Sequence, residues 1–309
     1  MKQVSFLVSV LMTLLCCLSC GGNGDPDTPV TPTPTPDKPT AKVPISISTD
    51  ITRATETAFE NGDEIGLFVV NHNADGSAAD LKLTGNHVDN MKYTYNGLWT
   101  PASQTYWKDN TTHADFYLYY PYNAALGSVD TMPWTVSADQ STEASYKAAD
   151  LMVGKTQDVA PQEAAVKIDA RHMMSQMVIN LVAGNGFTEA SLSAAKIGVT
   201  VNRLKNNCSV SLATAAVTAK GDDTDITPLK VEGNSYKALV VPQAVGEGNL
   251  ITVNVDGRNF NLPKDSKLTA LAAGKTYRFT VTLSKTSNGV NVNITKWEDD
   301  GVDYGGTAE

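Results

Sequence analysis

The chain has 309 residues, a formal net charge of −9 and 41% hydrophobic residues. Such a length accommodates two ordinary domains, and such an apolar share belongs to a globular chain rather than a disordered or membrane-embedded one. Net acidity, with arginines scattered at 53, 171, 203, 258 and 278, excludes nucleic acid and anionic membrane surfaces as partners, because both need clustered cations.

Residues 1–19 read as an export signal. Lys2 supplies the basic start, and Val4 to Leu18 an apolar run too short to span a bilayer. Leu18-Ser19-Cys20 resembles a bacterial lipobox, with Cys17 standing where leucine is usual. In that scheme the signal is cut before Cys20, which then carries the acyl chains. Each buried methylene contributes about 0.8 kcal/mol, so a multiply acylated Cys20 would hold the chain to the outer membrane. A plain secretory signal cut near the same place is the other reading. Residues 20–42 form a tether. Between Asp25 and Pro39 proline comes to occupy almost every second position, which gives extended polyproline II at about 3.1 Å per residue.

Residues 43–53 hold a single alternating segment. Val43, Ile45, Ile47 and Ile51 carry its apolar face, and it stops at Thr52-Arg53-Ala54. A lone strand between a tether and a basic residue reads as a first strand that a protease can remove. Arg53 is the only arginine before Arg171, and by itself Thr52-Arg53-Ala54 also reads as an ordinary exposed loop.

Downstream, strand patterns dominate. They fall at 64–70, behind the turn Asn61-Gly62-Asp63; at 91–95, before Asn96-Gly97; at 114–120, closed by Pro121; and at 165–170 and 176–182. They continue at 196–201, 209–212, 236–241, 250–255, 276–283 and 290–294. Helical hints are confined to Gln140–Ala149 and Thr188–Lys196. Short strands with polar turns predict an all-β fold of two tandem sandwiches. The expected division is 54–162 and 163–309, with the boundary drawn where Pro161 and polar residues interrupt the strands.

Three of the four cysteines, Cys16, Cys17 and Cys20, lie in or at the end of the leader, which leaves Cys208 alone in the body. No internal disulfide can form, so packing must hold the body together. Cys208 itself reads as a small strand residue. The four histidines, at 72, 87, 113 and 172, lack metal-pair spacing, and His172 is expected to be satisfied by backbone at the core edge. The acidic clusters Asp222-Asp223-Asp225 and Asp299-Asp300-Asp303 lack a complete calcium loop and read as solvated turns. No nucleophile elbow, P-loop or dinucleotide fingerprint is present, so neither an enzyme nor a cofactor is expected. Trp99, Tyr106, Trp107 and Tyr117 to Tyr122 suit either a sandwich core or a sugar-stacking platform. Asp130-Thr131-Met132 matches a low-specificity tripeptide for O-glycosylation.

Several of these stretches together resemble the fimbrillin family of Bacteroidales, lipoproteins that build type V pili. They are Thr52-Arg53-Ala54, Phe59 to Phe68, Trp99 to Trp107, Phe116 to Tyr122, Asp150-Leu151-Met152, His172 to Met177, Leu239 to Gln243, Ala273 to Tyr277 and Ile294 to Trp297. The resemblance implies two transthyretin-like sandwiches and assembly by donor-strand exchange. It also implies that an arginine-directed protease, with Arg53 as its single target near the tether, cuts between Arg53 and Ala54, that the first strand then leaves, and that a strand from another fimbrial subunit enters the groove. Before the cut, Val43, Ile45, Ile47 and Ile51 would plug the groove. Only the acidic segment 298–309 follows Trp297 and it is too polar to fill a groove. Either Val290, Val292 and Ile294 belong to the donor strand, or the chain is a tip or accessory subunit that accepts a strand without giving one. The alternative function is a monomeric tethered lipoprotein that binds a host or glycan ligand.

Overall fold

The computed structural model describes residues 42–51 and 58–285. Its strands are β1 (Ile47–Ile51), β2 (Glu64–Asn71), β3 (Val88–Tyr95), β4 (Trp99–Pro101), β5 (Ala114–Tyr120), β6 (Met132–Thr135), β7 (Met152–Val159), β8 (Val166–His172) and β9 (Ser175–Ala183). The second half adds β10 (Ile197–Val210), β11 (Val217–Ile226), β12 (Leu229–Lys230), β13 (Ser235–Val240), β14 (Gln243–Ala244), β15 (Asn249–Val255), β16 (Arg258–Pro263), β17 (Ala270–Leu271) and β18 (Thr276–Leu283). Two short helices, α1 (Glu143–Ala148) and α2 (Glu189–Ala194), fall inside the two helical hints. Each starts at a threonine, Thr142 or Thr188, whose hydroxyl accepts from the backbone N–H of a serine three residues on. This capping satisfies an N–H that the helix itself leaves free.

A seven-stranded sheet runs in the order β1-β8-β7-β5-β2-β3-β4. A second sheet has the order β11-β10-β15-β16, with β6 also paired to β10; a third runs β12-β13-β9-β18, and β14 pairs β17. The fold is all-β, as expected. Burial falls into three cores, and β2 and β5 explain two of them. Their sequences are nearly continuous apolar runs, so both faces must be covered. Ile65, Leu67, Val69, Phe116 and Leu118 face a core that the seven-stranded sheet wraps. From the opposite faces Phe68, Val70, Tyr117 and Tyr119 meet Met132, Val210, Leu229 and Leu239 in a junction core. A third core, with Ile179, Val201, Val253, Phe260 and Val281, fills the space between the second and third sheets.

Gly66 illustrates how tightly β2 is packed. A Cβ there would strike the Tyr119 ring, whose hydroxyl donates to Asn90 Oδ1 at 2.8 Å. At the junction, the fully buried Gln140 side chain acts as a piece of strand. Its Oε1 accepts from Leu239 N at 2.9 Å and its Nε2 donates to Leu239 O at 2.7 Å.

Three expectations change. The segments 196–201 and 209–212 are one strand, β10, which bends where Arg203 adopts φ 53 and the pairing with β11 slips. Next, β8 pairs with β7 and β1 in the first sheet, so that sheet continues to His172, past the division drawn at 162 and 163. Pro161 and its polar neighbours mark the β7–β8 connection. Finally, Asp222, Asp223 and Asp225, all exposed, lie within the strand β11 rather than in a turn.

Candidate functional site

The segment from Val43 to Ile51 occupies a seam in the seven-stranded sheet and pairs on both sides. From Ile47 to Ile51 it runs parallel to β8, in the register Ile47↔Val166, Thr49↔Ile168 and Ile51↔Ala170. Ser46 O accepts from Val166 N at 2.8 Å and extends that ladder. Just upstream, Pro44 faces Tyr106 in an antiparallel bridge. Ile45 N donates to Thr105 O at 2.9 Å, and Trp107 N donates to Val43 O at 2.9 Å. Pro44 has no N–H to give, and this ladder asks for none, because both bonds come from its flanks.

Alternation then sends every second side chain inward. Ile45 is 1% exposed and Ile47 5% exposed, against the core formed by Trp107, Val166, Ile168 and Ala170, while Val43 is partly buried on the same cluster. Full burial of an isoleucine is worth about 1.5–3 kcal/mol. Outward, Asp50 Oδ2 lies 2.6 Å from Lys167 Nζ, and Asp169 lies 3.6 Å from the same ammonium. The hydrogen bond to Asp50 raises the Lys167 pKa, but all three groups are more than half exposed, and water screens them.

Thr49 is the polar inward position. Trp99 Nε1 donates to Thr49 Oγ1 at 2.9 Å, so β1 and β4, at opposite ends of the strand order, meet across the seam. The Asn96-Gly97 turn, with Gly97 at φ 82, delivers Trp99. Phe59 packs edge-on against the indole at 4.9 Å and Tyr95 lies 5.1 Å away, between ring centres. Ser48, Thr49, Asp50, Phe59, Tyr95 and Trp99 are among the residues around an open cleft of about 460 Å³ at this end of the seam.

Among the named site residues, Val43, Ile45 and Ile47 therefore lie together in the sealed seam, and Ile51 adds its backbone to β1. Cys20, Arg53, Ala54, Val290, Val292 and Ile294 lie outside the described residues, as do Asp299, Asp300 and Asp303. Most of the aromatics weighed for sugar stacking are core residues. Trp99, Trp107, Tyr117, Tyr119 and Tyr120 are buried, and Tyr106 is exposed. Cys208 is buried, and burial pushes its thiol up to about 12, as suits a packing residue. His172, expected to be satisfied by backbone, pairs with a carboxylate, Asp150, at 2.8 Å. His72, which the sequence did not single out, joins Asp115 at 2.9 Å. Among the described residues no group of histidines, cysteines and carboxylates could hold a metal ion.

Residues 52–297 match the model of a family described as fimbrillin-like. A protein of Bacteroides uniformis, provisionally named as fimbrium subunit Fim1C, is 27% identical over 306 residues, covering 96% of each chain. A protein of Bacteroides ovatus, provisionally named as a fimbrium tip subunit, is 28% identical over 138 residues, which are 40% of this chain and 24% of that one. The fold matches a crystal structure from B. uniformis, provisionally named as a cell adhesion protein, with a TM-score of 0.61 and 22% identity over 78% of this chain and 93% of that one. A similarly named B. ovatus structure gives a TM-score of 0.63 at 19% identity, over 79% of this chain and 94% of that one.

Proposed function

The chain belongs to the fimbrillin-like family of fimbrial subunits, and on that premise we propose that it joins a type V fimbria by strand exchange at the seam that β1 fills. Exported and held to the outer membrane through acylated Cys20, the precursor keeps its own first strand in the groove. Cleavage after Arg53 frees that strand. The emptied seam then exposes the β8 edge on one side, the 105–107 segment on the other, and the apolar floor that Ile45 and Ile47 covered. An unpaired edge beside an apolar groove binds a strand that restores both the main-chain bonds and the side-chain contacts.

The observation that carries this reading is the two-sided pairing of Val43 to Ile51, with Ile45 and Ile47 driven into the core. An ordinary terminal strand covers one edge; this one closes a gap between two. The protein is a structural subunit rather than an enzyme.

The test is the N-terminal residue of the surface protein, read by mass spectrometry in outer-membrane and sheared-fimbria fractions. A start at Ala54 in the fimbrial fraction is the expected result. Arg53→Ala should leave a folded protein that stays in the membrane fraction and enters no fimbriae, whereas fimbriae containing intact residues 43–53 would overturn the proposal. Cys20→Ala should release the protein from the membrane, and continued anchoring would refute lipidation at that residue.

A further inference from the structure

We infer that Trp99 reads the incoming strand, so that the seam selects a strand from a different subunit carrying a hydroxyl or another short acceptor at the Thr49 position. This rests on the strand-exchange reading and names the partner that the seam would take.

An indole N–H can only donate. Trp99 is 8% exposed, and its Nε1 finds Thr49 Oγ1 at 2.9 Å. Phe59 meets the ring edge-on at 4.9 Å and Tyr95 lies tilted at 5.1 Å, the two being 6.3 Å from each other, so the indole cannot turn toward water without breaking this three-ring cluster. A strand that placed an apolar or cationic side chain opposite would leave the donor unpaired in a largely desolvated place. Ile45 and Ile47 contribute affinity but accept any apolar side chain of similar size. Thr49 alone makes a directional demand, and it fixes register as well. A slip by two residues keeps the inward face but moves the hydroxyl away from the indole.

The chain's own candidate donor fails this demand. Val290, Val292 and Ile294 alternate with Asn291 and Asn293, and Thr295-Lys296 follows. Run in the direction of β1, the segment has two registers that place apolar residues at both the Ile45 and Ile47 positions. One puts Ile294 at the Thr49 position, and the other puts Lys296 there. Neither side chain accepts a hydrogen bond. The seam of this subunit is thus matched to another subunit's strand, and copies of this chain alone do not polymerise through it.

The experiment uses the full exported chain with a site-specific protease sequence in place of residues 52–57. After cleavage, a fluorescent peptide with the sequence of residues 43–51 is exchanged into the seam and competed with unlabelled peptides. The native peptide and its Thr49→Ser form should compete equally, and the Thr49→Val form about tenfold more weakly, as the loss of one partner for a buried donor predicts. A peptide of residues 288–297 should compete at least as weakly as the Thr49→Val form. In the Trp99→Phe protein, which keeps the aromatic packing, the native and Thr49→Val peptides should become equal competitors. Equal competition in the unsubstituted protein would overturn the reader and leave strand exchange standing. If the native peptide never enters the cleaved protein, strand exchange itself fails, and the reader with it.

Discussion

β1 and β18 are both edge strands that run parallel to their single neighbour, β8 and β9 respectively, while the other ladders of these two sheets are antiparallel. They are built to different standards. β18 pairs with β9 over eight positions, from Thr276↔Gln176 to Leu283↔Ala183. It drives Phe279, Val281 and Leu283 into the core at 2% exposure or less. Side chains and turns then tie its ends: Thr276 Oγ1 donates to Gln176 Oε1 at 3.0 Å, Gly184 N donates to Leu283 O at 2.8 Å, and Asn185 N donates to Ser284 Oγ at 2.9 Å. β1 pairs over five positions, and the segment of which it is part sends Ile45 and Ile47 to full burial beside a hydroxyl. Its outward anchor is an ion pair in solvent. β18 is pinned at both ends, whereas the segment of β1 is held by main-chain bonds and a few side chains that another strand can copy, a contrast on which the strand exchange we propose draws.

The largest effects should fall on β18. Phe279→Ala removes a side chain from a fully closed core and should cost about 3–5 kcal/mol, read as the shift of a urea unfolding curve. Ile47→Ala should cost about 2–3 kcal/mol, toward the lower end of the range for such truncations, because the seam lies beside an open cleft and can relax. Its signature is local. Hydrogen exchange at the β8 amides should rise in Ile47→Ala while exchange in β9 and β18 stays that of the unsubstituted protein. If Ile47→Ala loosens the whole chain together, β1 is as integral as β18 and the contrast between them disappears.

A smaller effect tests the polar pin. Thr49→Val and Trp99→Phe each remove one partner of the same hydrogen bond, and each should destabilise the intact protein by about 1 kcal/mol. The double variant should cost scarcely more than either single one, since the bond is lost once. Additive losses would mean that Trp99 contributes by packing alone. By comparison, Lys167→Ala should leave the unfolding midpoint within experimental scatter, since its ion pair with Asp50 is exposed at both ends.

Much of this architecture is legible in the chain because burial leaves a local mark. β2 and β5 announce themselves as continuous apolar runs, and β9, β13, β15 and β18 as alternating ones. β6 leaves almost no mark. Met132-Pro133-Trp134-Thr135 contains a proline and owes its strand to the facing positions 207–210 of β10. β11 is similarly silent, since Lys220, Gly221, Asp222 and Asp223 face solvent and only the pairing with β10 orders them. The candidate site divides along the same line. The alternation of Val43, Ile45 and Ile47 marks a buried face, but nothing near it marks what covers that face. Trp99 is fifty residues from Thr49, Tyr106 lies further still from Pro44, and a parallel partner such as β8 has no turn to advertise it. Local periodicity reports which face of a strand is buried; it does not report what buries it.

A further effect, read in pH, separates the β2–β5–β7 part of the first sheet from β1. His72, just beyond β2, places Nε2 2.9 Å from Asp115 Oδ1 and Nδ1 3.1 Å from Gly76 O. Both partners accept, so both ring nitrogens must carry protons, and the cation is the form that fits. Asp158 Oδ1 lies 3.7 Å from the same ring, and the His113 ring 6.1 Å away between centres. The Asp115 hydrogen bond, foremost, raises the His72 pKa above its ordinary 6.5. Burial pushes Asp115 upward, but hydrogen bonds from Asp158 N, His72 and Gln157 outweigh it and leave the carboxyl below its ordinary 3.8. A raised folded-state histidine binds its proton more tightly than the unfolded chain does. Its contribution is therefore complete below pH 6.5 and is lost as pH rises through the raised value. Asp115 contributes above pH 3.8 and loses its contribution as pH falls through its lowered value. Urea midpoints should accordingly be higher at about pH 6 than at about pH 8.5, and His72→Gln should flatten that difference. The clamp joins β2, β5 and β7 without touching β1, so Ile47→Ala should lower both midpoints and leave the difference between them intact. If Ile47→Ala abolishes the pH dependence as well, plug and clamp open as one unit, and the seam reaches further into the sheet than the pairing of β1 implies.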